Sequence, residues 1–161
     1  MALQELDLQY NSIDELQLPM GCFPNLHTLH LSYNQIPPGH LQDLGMLPEL
    51  QILNLGSNNL STLPTDMSFL HCLEELNLSA NSFSSHSTLV DPNALFKAIS
   101  TIPRLKKLNL SRNKFVEFHS GDLPPNNLAM PSNEKVFPHL EELYFAFNEV
   151  HHEEKLFYAV S

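Results

Sequence analysis

Nine histidines, two cysteines and eighteen carboxylates are the side chains from which this 161-residue chain would have to build a metal site or an acid–base pair. Their spacing argues against both. His27 and His30 are three apart, which in an extended segment puts them on opposite faces. His151, His152, Glu153 and Glu154 are consecutive, and consecutive side chains on a helix or turn point apart. No Cys or His set has the spacing of a structural zinc site. Glu74 with Glu75, and Glu141 with Glu142, are separated by strand alternation, whereas general acid–base work needs groups that converge in a cleft. There is no Gly-rich phosphate loop and no Ser/His/Asp grouping on a nucleophile elbow. The expectation is therefore a chain that is not an enzyme, with no cofactor and no metal. What remains is hydrogen-bonding and aromatic chemistry, the means of holding another macromolecule.

The elements that must position those groups follow from one phrase, Leu-x-x-Leu-x-Leu-x-x-Asn-x-apolar. It is written six times, from Leu3, Leu26, Leu50, Leu73, Leu105 and Leu140. The Leu-x-Leu centre has period two, so Leu6 and Leu8 face inward while Glu5, Asp7 and Gln9 face outward. Repeats of this length stack as a solenoid, each strand pairing with the next and presenting an open surface. The central outward column reads Asp7, His30, Asn54, Asn77, Asn109, Tyr144. The column before each ninth-place asparagine reads Tyr10, Tyr33, Ser57, Ala80, Arg112, Phe147. Tyr and Arg are enriched among residues that dominate interfaces. The candidate partner-binding residues are His30, Tyr33, Asn54, Asn77, Lys107, Asn109, Arg112 and Tyr144.

These six copies, with asparagine always in the ninth place, resemble the leucine-rich repeat family over nearly the whole chain. The resemblance implies an α/β solenoid of six repeats. A curved parallel sheet would line its concave face, with short helices and loops on the convex face. It implies no catalytic residues, and an asparagine ladder made by Asn11, Asn34, Asn58, Asn81, Asn113 and Asn148, their amides bonded to backbone in adjacent loops. A single repeat domain spanning 1–161 is expected, as a segment of a longer protein or with both ends covered by partners. Two cysteines, Cys22 and Cys72, are too few for the cysteine-rich caps of extracellular members. They are expected to be small buried hydrophobes in a reducing compartment: cytoplasm, nucleus or cilium. Within the family, the phrase DLGMLPELQILNLGSNNLSTLP from Asp43, the enlarged fourth and fifth coils, and the FPHLEELYFAFNEVHHEE ending resemble one intracellular member in particular.

The repeats are separated by 23, 24, 23, 32 and 35 residues, so the last two intervals carry insertions. In the first, residues 84–102, Asp91 and Pro92 read as a helix start, followed by Leu95, Ile99 and Ile102 at helical spacing. A helix over 92–102 is expected. The second, residues 118–136, holds Gly121, Pro124, Pro125 and Pro131 and reads as a projecting loop. Leu41, Leu44 and Leu47 predict a short helix in the third coil. Pro24, Pro48, Pro103 and Pro138 each follow an apolar residue and mark where a convex segment turns into the next strand.

The formal charge is −10, but six of the eight basic residues lie in the band 97–114: Lys97, Arg104, Lys106, Lys107, Arg112 and Lys114. Such a band suits an acidic partner segment, and the alternative is charge balancing by the adjacent acidic coils. On the docking reading, K107E with R112E abolishes partner capture and leaves thermal stability unchanged. Nucleic acid is not expected, since the overall field repels phosphate and the band lacks interleaved aromatics. No apolar run is long enough to cross a membrane, and no leader is read at residues 1–11, which already belong to a repeat. The sequons at Asn59, Asn77 and Asn109 are explained by the repeat wording. The expected function is a protein-interaction scaffold or adaptor in a multi-subunit intracellular assembly, ciliary or cytoskeletal among the options. A regulatory or targeting domain of a larger enzyme and an extracellular ligand-binding receptor segment are the alternatives.

Overall fold

Six three-residue strands, all parallel and paired in chain order, form one sheet: β1 (Glu5–Asp7), β2 (Thr28–His30), β3 (Ile52–Asn54), β4 (Glu75–Asn77), β5 (Lys107–Asn109) and β6 (Glu142–Tyr144). The structure is a computed structural model and describes residues 2–84, 94–116 and 137–150. The register matches the repeat alignment, so equivalent residues stand side by side. The middle row runs Leu6, Leu29, Leu53, Leu76, Leu108, Leu143. In β2 to β5 the central leucine is buried between half-buried neighbours, which is what alternation dictates for a strand with one face on a core.

Leu31, Leu55, Leu78 and Leu110, two residues on from these, are fully buried in the same core. Phe83, Phe96 and Phe115 join it where the coils enlarge, with the Phe96 and Phe115 rings 6.1 Å apart. Turns close each coil. The N–H groups of Leu26, Leu50, Leu73 and Leu140 donate to the carbonyls of Phe23, Leu47, Leu70 and Phe137 three residues earlier. In three of these turns, proline at the second position supplies the fixed φ that such a turn favours. It also forgoes a backbone N–H that has no role there.

The helix of the third coil is a 3-10 helix, Pro38–Met46. With three residues per turn it stacks positions spaced by three, and Leu41, Leu44 and Leu47 are all buried. The helix of the first insertion, α1, covers Ala94–Ser100, and its buried residues are Phe96, Ala98 and Ile99. Leu95, expected among the core residues, is only half-buried, because Phe96 takes the inward position. The Asp91–Pro92 start, the segment 118–136 and the residues from His151 onward lie outside the described residues. Cys22 and Cys72 are free but half-buried, not the buried hydrophobes expected. Each lies on a convex segment that the core covers only in part.

Candidate functional site

The sheet face opposite the leucines is built from the side chains that alternation turns outward. It holds an open concavity of about 320 Å³ spanning β2 to β6. The register brings His30, Asn54, Asn77, Asn109 and Tyr144 into one row with Asp7, and Lys107 into a parallel row with Glu5, Thr28, Ile52, Glu75 and Glu142. Tyr33 and Arg112 stand at the edge of this face, beyond the strands.

The three asparagines of the row share one geometry. Asn54 Oδ1 accepts from the Gly56 N–H at 3.0 Å, Asn77 Oδ1 from Ser79 at 2.9 Å, and Asn109 Oδ1 from Ser111 at 2.9 Å. Each amide is thereby oriented by its own strand. Its Nδ2 donors make no bond among the described residues, so three adjacent strands present three equivalent donor groups. Asp7 uses the same device: its carboxylate accepts from the Gln9 N–H and Nε2. Those bonds favour the ionised form and hold the carboxyl below its ordinary value.

Lys107 is the one ammonium among the outward strand residues, and it is clamped. Its Nζ lies 3.3 Å from Glu75 on β4 and 3.4 Å from Glu142 on β6. These bonds raise the Lys107 pKa, Glu75 contributing most. Tyr144 Oη donates to Glu142, which lowers the Glu142 pKa, with Lys107 helping, and raises that of Tyr144. Lys106 pairs with Glu74 at 2.8 Å. Two cations of the 97–114 band therefore balance neighbouring carboxylates and are not free to receive an acidic segment. The same geometry argues against unchanged stability in K107E with R112E, because Glu at 107 would set a third carboxylate between Glu75 and Glu142. At the other end of the face, His30 Nε2 stands 3.6 Å from Glu5, and His30 Nδ1 is buried without a partner among the described residues.

The column before each ninth-place asparagine has an unanticipated backbone. Tyr10, Tyr33, Ser57, Ala80, Arg112 and Phe147 all have φ between 53° and 59°. This left-handed conformation is unfavourable for residues with a Cβ. In five of the six it comes with a bond to the next coil: the N–H groups of Tyr10, Tyr33, Ser57, Ala80 and Arg112 donate to the carbonyls of Ser32, Gly56, Ser79, Ser111 and Ala146. The turned-out side chains pair up at both ends. Tyr10 and Tyr33 stack at 4.2 Å and 11°, and the Arg112 guanidinium sits 5.1 Å over the Phe147 ring.

Behind this edge the asparagines form a directional chain. Asn34, Asn58, Asn81, Asn113 and Asn148 each donate to a carbonyl of the preceding coil and accept at least one backbone N–H. Asn11 is exposed and bonds only to Leu8 and Gln9 of its own coil, since no described coil precedes it.

Reading charge along the chain picked out Lys107 but missed Glu75 and Glu142 as its partners and Glu5 and Asp7 as the carboxylates at the far end of the face. Reading it across the repeats finds them, because they occupy the same two repeat positions. Among the described residues no group of three His, Cys, Asp or Glu is placed to hold a metal, and no helix is long and apolar enough to cross a membrane.

Comparison with known proteins agrees with this geometry. Leucine-rich repeat models match residues 2–44, 36–83 and 104–129. The mouse X-ray radiation resistance-associated protein 1 is 33% identical over 129 residues, covering 71% of this chain and 16% of the mouse protein. This is the member that the Asp43 phrase and the enlarged coils resemble. Human PH domain leucine-rich repeat-containing protein phosphatase 1 is 28% identical over 125 residues, 76% of this chain and 7% of that protein. A solved leucine-rich repeat protein of Leptospira interrogans superposes with a TM-score of 0.64 at 28% identity, over 92% of this chain and 32% of that one. The chain thus spans only a small fraction of these relatives.

Proposed function

The chain belongs to the leucine-rich repeat family, and from that premise we propose that it is a non-catalytic protein-interaction domain within a longer intracellular protein that serves a multi-subunit assembly. The observation that carries the reading is the row of oriented amide donors of Asn54, Asn77 and Asn109, unpaired among the described residues and flanked by exposed Tyr144. Donors held in place by their own strands lose little freedom on binding, which is the condition under which hydrogen bonds add to affinity. Two cysteines, too few for the cysteine-rich caps of extracellular members, favour a reducing compartment. The acidic-partner reading of the 97–114 band now rests chiefly on exposed Arg104, Arg112 and Lys114, away from the clamped lysines.

A second reading, a targeting domain of a larger enzyme, is favoured by the similarity to the human phosphatase. Both readings use the same face. The test is proximity labelling by the full-length protein in its own cells, repeated with N77A/Y144A. Loss of the labelled partner set, with a cooperative melt retained, is the expected result. An unchanged set removes this face from the interface. A catalytic subunit among the labelled chains would favour the second reading.

A further inference from the structure

The following step rests on the concave-face reading and specifies its occupant. We propose that the sheet face receives an extended basic polypeptide segment lying across the strands. Its cationic side chains would meet two carboxylate stations, and its backbone carbonyls would meet the asparagine row. The outward strand residues include four carboxylates, Glu5, Asp7, Glu75 and Glu142, against the single ammonium of Lys107. One station is the Glu5–Asp7 pair on β1. The other is Glu75 with Glu142, which keeps a net negative charge after Lys107 has bonded to both. The face is therefore negative at both ends, on a chain whose formal charge is −10, and a cationic segment is both steered to it and held by it.

Hydrogen bonding narrows the class. The unpaired Nδ2 groups of Asn54, Asn77 and Asn109 are donors and require acceptors from the occupant. A polypeptide brings cationic side chains and carbonyl acceptors together. A polyamine lacks the acceptors, and a nucleic acid has the wrong sign of charge. Half-exposed Tyr144, at 51%, offers a ring for an arginine or lysine to lie against beside Glu142.

Strand spacing sets the pattern of the segment. Neighbouring strands lie about 4.8 Å apart, so β1 to β4 is roughly 14 Å and β1 to β6 roughly 24 Å. An extended chain advances about 3.3 Å per residue with alternate side chains on one face, so the cationic side chains fall at the even spacings nearest these spans, roughly four and eight residues apart.

The test is fluorescence anisotropy of the full chain with a labelled serine-rich peptide of about twelve residues carrying Lys-Arg pairs roughly four residues apart. The control probe carries Asp-Glu pairs at the same positions. The basic probe should bind saturably and weaken as salt is raised. It should lose about fivefold or more in affinity to E75Q/E142Q, which also leaves Lys107 uncompensated. E5Q/D7N should weaken it independently. Binding of the acidic probe in preference, no saturable binding of the basic probe, or affinity unchanged in both double variants would each overturn the proposal. Labelling of native partners that N77A/Y144A abolishes, alongside failure of the basic probe, would remove the charge assignment and leave the interaction face standing.

Discussion

Asn81→Ala tests how far the solenoid depends on its asparagine ladder. Asn81 is buried, and its amide holds two coils together. Nδ2 donates to Leu55 at 3.0 Å, Leu78 at 3.0 Å and Ser79 at 3.2 Å, while Oδ1 accepts from Asn58 at 3.0 Å and Leu60 at 2.9 Å. The three carbonyls keep other donors: Leu55 is also bonded by Asn58 Nδ2, Leu78 by Asn113 Nδ2 and Ser79 by the Ser57 N–H. The two N–H groups do not, and both belong to buried residues. Orphaned buried donors cost about 1–3 kcal/mol each, so the substitution should cost about 2–6 kcal/mol in all. That is a large part of a typical domain's 5–15 kcal/mol. Asn11→Ala is the matched control. Asn11 is exposed, makes two bonds within its own coil and accepts none, so its loss should cost no more than about 0.5 kcal/mol. Urea unfolding followed by circular dichroism reads both. An Asn81 cost under about 1 kcal/mol, or equal costs at the two sites, would refute the argument that this asparagine acts by accepting from the preceding coil.

Three further outcomes follow from the same geometry. Ala80→Gly should leave stability unchanged or raise it by up to about 1 kcal/mol, because relief of a left-handed φ of 53° offsets the added chain entropy; a clear loss in urea unfolding would contradict this. K107E should melt below both the parent and K107M in a thermal scan, since it replaces a clamped cation by a third carboxylate. The Glu142 carboxyl is held below its ordinary value by the Tyr144 hydroxyl and then by Lys107. Its contribution to stability is therefore complete above the ordinary glutamate range, near pH 4.3, and fades as pH falls through the lower folded value. E142Q should make the acid limb of a stability–pH curve shallower, with the slope from Asp7 remaining.

The strand positions, the parallel order and the leucine core were legible because a repeat states each of them six times. The spacing of Leu41, Leu44 and Leu47 already contained the 3-10 period, since three residues per turn stacks such positions and 3.6 does not. The left-handed column was not legible. Tyr, Ser, Ala, Arg and Phe carry no signal for positive φ; it belongs to the repeat position, and in five of the six coils a bond from that N–H to the next coil accompanies it. Ionic pairing was legible in part. Glu75, Lys107 and Glu142 occupy one repeat position and so must be neighbours across the sheet, but a charge run along the chain hides that. Asn11 differs from its five counterparts by its surroundings alone, which no residue type records.

The central claim is that the outward sheet face is where a partner protein sits. The most direct measurement places a photo-reactive phenylalanine at Tyr144 on that face and, separately, at exposed Gln42 on the 3-10 helix, in the full-length protein in its own cells. Irradiation is predicted to yield a covalent partner adduct from position 144 and none from position 42. Adducts from position 42 with none from position 144 would contradict the account.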